Sequence, residues 1–130
     1  MHRPFLITGA VIGALAVALG AFGAHSLKQI VPAESVSVFE TGVRYQVYHT
    51  LALLLVAVIF ERFPNKLVRT SGLAFIIGTV LFSGSLYLLT ALKATNTVGL
   101  NGIGIVTPIG GLVFIFGWIL LAVGVSKKSL

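Results

Sequence analysis

The sequence predicts an all-α fold, an integral membrane bundle of four transmembrane helices, and three observations predict it. The 130 residues are 57% hydrophobic and only 9% charged, where an ordinary soluble domain is about a quarter charged. Mean hydropathy is +1.06, so water is not the main solvent of this chain. The charges fall between long apolar runs rather than within them, as in helices that cross hydrocarbon and turn among headgroups. Four runs and their connections use nearly all of residues 1–130. That leaves a single four-helix transmembrane domain, with spans at about 4–24, 45–60, 70–92 and 108–125.

The first run, Pro4 to Ala24, is uncharged; about 21 helical residues rise roughly 31 Å, enough for the ~30 Å hydrocarbon core. A cleaved signal peptide competes with this reading, because Arg3 precedes the run and Ala21-Phe22-Gly23 is weakly like a cleavage site. The run exceeds the usual apolar region of about 7–15 residues, and further spans follow, so an uncleaved helix is expected. His25 to Arg44 is a polar connection containing Lys28, Pro32, Glu34 and Glu40, and its place is the interface. Within it Ser37-Val38-Phe39-Glu40 fits a capping box, which predicts a helix start near Val38. That helix would run into the second span, Tyr45 to Phe60, whose roughly 16 uncharged residues need its amphipathic first turns to complete a crossing.

Glu61 to Arg69 is a short charged link with Pro64 and Asn65, and Thr70 to Leu92 forms the third span, closed by Lys93. The next charge is Lys127, and the uncharged stretch between exceeds one crossing. The Gly/Asn-rich part, Thr95 to Val106, is therefore expected to be a loop or a shallow re-entrant segment. Thr107 reads as an N-cap and Pro108 as the first residue of the fourth helix.

Net charge is +6. The basic residues sit at the ends of apolar segments, which assigns them to phospholipid headgroups and argues against nucleic acid as a partner. With four spans, one face carries Arg3, Arg62, Lys66, Arg69, Lys127 and Lys128, and the other Lys28, Arg44 and Lys93. The positive-inside rule then predicts a multi-pass protein of the inner (cytoplasmic) membrane with both termini in the cytoplasm. Cysteine is absent, which excludes disulfides and thiolate metal sites.

Helices in lipid associate through close contact between small residues. Gly9, Gly13, Ala16, Gly20 and Gly23 keep to one face of the first span, and Gly110, Gly117 and Gly124 recur every seven residues in the fourth. These stripes predict close packing within one bundle, with a homodimer as the alternative.

The densest polar group is His25 with Glu40, Arg44, Tyr45, Gln46, Tyr48 and His49. Tyr45 and His49 lie four apart on a helix, as do Glu40 with Arg44 and Arg44 with Tyr48, so they line adjoining faces. One reading is a binding or proton-handling site, with His49 titrating near neutrality and Arg44 holding an anionic headgroup or carboxylate. The other is interfacial tyrosines, a Glu40–Arg44 helical ion pair and a structural hydrogen bond from His49. His25, His49 and Glu40 make at most three ligands without diagnostic spacing, so no metal is expected. Ser83-Gly84-Ser85 lies inside the third span with no base paired to it by pattern, so no catalytic residue is assigned. Glu34, Glu40 and Glu61 all fall in connections or at helix ends, leaving no mid-bilayer acid for proton-coupled cation export.

Four motifs occur in order: Gly20-Ala21-Phe22-Gly23-Ala24-His25; Phe39-Glu40-Thr41-Gly42-Val43-Arg44-Tyr45-Gln46-Val47-Tyr48-His49; Leu81-Phe82-Ser83-Gly84-Ser85; and Thr107-Pro108-Ile109-Gly110-Gly111 with Gly117-Trp118. Together they resemble the bacterial inner-membrane family catalogued as domain of unknown function 423, itself similar to a small eukaryotic transmembrane family. The resemblance covers essentially the whole chain. It implies a four-helix membrane protein and assigns no activity, substrate or residue role.

The expected function is that of a non-enzymatic accessory or lipid-associated membrane component. It would use no cofactor, with membrane lipid as partner and a protein partner or homo-oligomer left open. A small transporter or channel subunit is the alternative, and an intramembrane enzyme the third reading.

Overall fold

The computed structural model describes residues 1–97 and 102–127. Four helices, α1 (Arg3–Ala24), α2 (Ala33–Ile59), α3 (Lys66–Ala94) and α4 (Ile103–Ser126), follow one another, with a 3-10 turn at Ser26–Gln29 between the first two. Each is long and apolar enough to cross a membrane. One end of the bundle, the terminal end, gathers the chain start, the α2–α3 link and the end of α4; there the His2 N–H donates to the Ala57 carbonyl at 2.7 Å. The opposite end, the loop end, holds the 3-10 turn, the start of α2 and the end of α3.

Local chemistry sets the helix ends. The ring of His2 accepts from the Phe5 N–H at the start of α1. Asn65 caps α3 by accepting from the Val68 N–H, and its amide donates to the Gly124 carbonyl at 2.9 Å, which pins the end of α4 to the start of α3. At the end of α3, Asn96 takes the left-handed conformation at φ 52. The Asn96 N–H then bonds the Lys93 carbonyl and the Thr97 N–H bonds the Leu92 carbonyl, the paired bonds of a Schellman ending.

Two helix starts differ from the sequence reading. α2 begins at Ala33 with Pro32 as N-cap, about a turn earlier than the capping box at Ser37 and Glu40 implied. Proline presets its own φ, Glu34 in the first turn suits the positive end of the helix dipole, and Val31 and Val36 meet in one buried cluster, the arrangement of a hydrophobic staple. Ser37 and Glu40 are exposed within the helix, and the Ser37 carbonyl accepts from the Thr41 hydroxyl. α4 begins at Ile103, so Thr107 is not its cap and Pro108 lies inside it. In hydrocarbon an unwound apolar stretch would leave backbone groups unpaired, and the loss of one N–H at a proline costs less than that. Residues 98–101 of the expected Thr95–Val106 loop lie outside the described residues, as does Lys128.

Burial is greatest in α2 and α3 and least in α1, so the middle two helices form the centre. α3 packs most extensively on α4, then on α2, and α1 packs on α2. Close approach depends on glycine. A Cβ at position 110 would lie 2.5 Å from the Phe82 amide nitrogen, and one at 124 would lie 2.7 Å from Val68 Cγ2. Gly117 faces Phe75, while Gly9, Gly13, Gly20 and Gly23 face Leu54, Thr50, Val43 and Phe39 of α2. Gly72 and Gly78 of α3 leave room for the rings of Phe5 and Phe114. One apolar cluster, with Leu53, Val56, Val68 and Phe75, fills the terminal half; a smaller one, with Leu27, Val31, Val36 and Phe39, fills the loop end. The outward faces of α1 and α4 expose Ile7, Val11, Leu15, Leu112, Ile115 and Ile119, a surface matched to acyl chains.

Candidate functional site: a polar seam beneath the loop end

Helical periodicity divides the polar group of α2. Gly42, Gln46, His49 and Leu53 step by four, three and four, and all are buried; Glu40, Arg44 and Tyr48 face outward and are exposed. Tyr45 sits at the margin, its ring 4.6 Å from that of Phe82 and 5.6 Å from that of Tyr48. His25 is exposed at the end of α1. The Glu40–Arg44 ion pair does not form; among the described residues the one ion pair joins the Met1 amino group to Glu61 at 3.5 Å.

The inward residues build a hydrogen-bonded seam. Gln46 donates its amide to the Ile12 carbonyl of α1 at 2.9 Å and accepts from the Tyr87 hydroxyl of α3 at 2.6 Å, so one side chain links three helices. Ser83 donates to the Gly42 carbonyl at 2.6 Å, and the hydroxyls of Ser85 and Thr107 meet at 2.5 Å, linking α3 to α4.

His49 is held on both nitrogens. The Trp118 indole N–H donates to Nε2 at 3.1 Å, and Nδ1 lies 2.8 Å from the Tyr45 carbonyl. Indole only donates and a carbonyl only accepts, so the proton belongs on Nδ1 and the ring is the neutral tautomer. The imidazole stacks on Phe114 with centroids 3.5 Å apart and planes 7° from parallel, and Phe75 flanks it at 5.5 Å. With both nitrogens bonded and the faces covered, His49 in this arrangement has no lone pair to offer a metal. One buried hydroxyl, Thr50 Oγ1, has no hydrogen-bond partner among the described residues.

Tyr87, Phe114 and the partners of Ser83 and Trp118 were not found from sequence. Ser83 and Trp118 stood within the motifs that carry the family resemblance, but no spacing joins residues on different helices; Tyr87 and Phe114 carried no signal beyond being aromatic in an apolar run.

Three crevices open at the loop end, around the first turns of α2. One, of about 310 Å³, lies between the start of α2 and the end of α3, with Glu34, Ser35, Thr90 and Lys93 in its walls. A second, of about 220 Å³, is lined by Phe22, Leu27, Ile30, Phe39, Tyr87 and Ala94, and shares Thr90 with the first. The third, of about 410 Å³, is bounded by Lys28, Val36, Ser37 and Glu40. Of the outward residues of the predicted polar group, Glu40 lines a crevice, while Gln46 and His49 belong to the seam below.

A family described as "Protein of unknown function (DUF423)" matches residues 19–111. The chain is similar to the UPF0382 membrane protein of Haemophilus influenzae, 46% identical over 129 residues that cover 99% of this chain and 98% of the relative. The UPF0382 membrane protein YwdK of Bacillus subtilis is 41% identical, covering 96% of this chain and 98% of its own. The UPF0382 inner membrane protein YgdD of Escherichia coli K12 is 43% identical, covering 96% and 91%. No solved structure matches the chain.

Proposed function

The chain belongs to the DUF423 family of membrane proteins, and from that premise we propose that it is a non-enzymatic, lipid-associated accessory component of the cytoplasmic membrane with both termini in the cytoplasm. The observation that carries this reading is the position of the crevices. Three crevices among the described residues open at the loop end, two with charged side chains in their walls and one apolar, where a bilayer changes from headgroups to acyl chains. The seam supports the same division: Gln46, Ser83 and His49 bond neighbouring helices, the role that polar side chains commonly take in membrane bundles. Orientation rests on the excess of Lys and Arg at the terminal end, and the inner-membrane name of the Escherichia coli relative agrees with the compartment.

Native mass spectrometry of the gently solubilised protein tests the reading. Phospholipid retained through detergent exchange supports it, and a folded protein that emerges bare overturns it. A small transporter or channel subunit is a second reading, favoured by the buried hydroxyls Ser71, Thr79, Ser83 and Thr90 of α3, which extend over about 28 Å of helix. Solute flux in proteoliposomes that stops on Ser83→Ala would select it.

A further inference from the structure

The geometry points to a binding site for one zwitterionic aminophospholipid at the loop end, its phosphate on Lys93, its ammonium on Glu34 and an acyl chain between Phe39 and Ala94. The inference rests on the lipid-associated reading above and names the class of lipid.

The argument begins with charge. Glu34 on the first turn of α2 and Lys93 on the last turn of α3 line the same crevice. Both are exposed, and among the described residues neither stands within ion-pair distance of an opposite charge. A crevice offering one unpaired carboxylate and one unpaired ammonium matches a headgroup with one charge of each sign. A headgroup with only negative charge would gain Lys93 and be opposed by Glu34.

The adjoining crevice supplies the other half of the ligand. It shares Thr90 with the charged one, and its walls are Phe22, Leu27, Ile30, Phe39 and Tyr87 with the small side chains of Ala91 and Ala94. Thr90, whose hydroxyl is taken up by the Leu86 carbonyl, is the wall the two crevices have in common. From Lys93 to Tyr87 along α3 is about 9 Å, comparable to the depth of the headgroup layer on one side of a bilayer. The charges therefore stand at headgroup level and the aromatic walls at acyl level. The third crevice, at Lys28 and Glu40, also carries both signs but does not share a wall residue with the apolar one, which makes it the internal comparison.

The test exposes delipidated protein to an equimolar mixture of phosphatidylethanolamine and phosphatidylglycerol with identical chains and counts bound lipids by native mass spectrometry. Wild type is expected to favour phosphatidylethanolamine by about fivefold, the scale of one charge contact near a membrane surface. Glu34→Gln should abolish that preference by admitting phosphatidylglycerol, and Lys93→Ala should weaken both lipids. Ala91→Trp, which fills the apolar crevice from an exposed position, should reduce both without lowering the melting temperature. Binding without headgroup preference, or a preference that survives Glu34→Gln and vanishes in Glu40→Gln, overturns this site while leaving lipid association standing. No binding of either lipid overturns both.

Discussion

The indole N–H of Trp118 reaches Nε2 of His49 at 3.1 Å and ties α4 to α2 beside the stacked ring of Phe114. Trp118→Phe should leave Nε2 buried without a donor, at a cost of about 1 kcal/mol. His49→Leu should leave the indole without an acceptor at similar cost. Replacing both partners removes the unpaired groups, so the double variant should lose less than the sum of the singles. Denaturant unfolding in micelles, followed by circular dichroism, measures all three. Strictly additive losses would show that the bond contributes nothing. Trp118 is the one tryptophan of the chain, so a changed emission maximum in His49→Leu would report the same contact.

The apolar runs made the number and order of the helices legible, because the bilayer requires long uncharged segments and the chain has four. The helix starts were less legible. The capping box at Ser37 competes with a proline cap at Pro32, and only the packing of Val31, Val36 and Leu27 decides for Pro32. Pro108 reads as a helix start by local preference, whereas the continuous apolar environment carries α4 through it. Among the site residues, Gln46 and His49 could be picked out as polar residues beside an apolar span, and periodicity separates them from Arg44 and Tyr48. Their partners could not, since Ile12, Tyr87 and Trp118 reach them through tertiary structure.

Gly110 and Gly111 are neighbours with opposite tolerance. A Cβ at 110 would meet the Phe82 backbone at 2.5 Å, which cannot yield as a flexible side chain can, while a Cβ at 111 would rest 3.9 Å from the Phe82 ring. Gly110→Ala should separate α3 from α4 and destabilise the bundle by about 1–3 kcal/mol. Gly111→Ala should be neutral or stabilising by a few tenths, up to about 1 kcal/mol, because alanine is the better helix former. Equal melting temperatures for the two variants would contradict the close α3–α4 contact.

Thr50 is 5% exposed and its hydroxyl has no hydrogen-bond partner among the described residues. Thr50→Val keeps the branched shape against Gly13 and removes the unpaired oxygen, so it should stabilise the protein by about 0.5–2 kcal/mol. Thr79→Val is the control, because that hydroxyl donates to the Phe75 carbonyl at 2.8 Å and its removal should gain nothing. Destabilisation by Thr50→Val would reveal a partner for the hydroxyl in the membrane.

The absence of cysteine permits a direct test of orientation with single introduced thiols. Lys and Arg are in excess at the terminal end, and moving that charge across the membrane would oppose the positive-inside bias. Arg62→Cys in the α2–α3 link and Ser26→Cys in the 3-10 turn are both exposed positions at opposite ends of the bundle. In intact cells an impermeant maleimide should label Ser26→Cys and spare Arg62→Cys until the inner membrane is permeabilised. The reverse pattern would place the termini outside, and with them would move the leaflet served by the Glu34–Lys93 crevice. That crevice would then face cytoplasmic headgroups, with its charge pairing unchanged but its lipid supply drawn from the opposite leaflet.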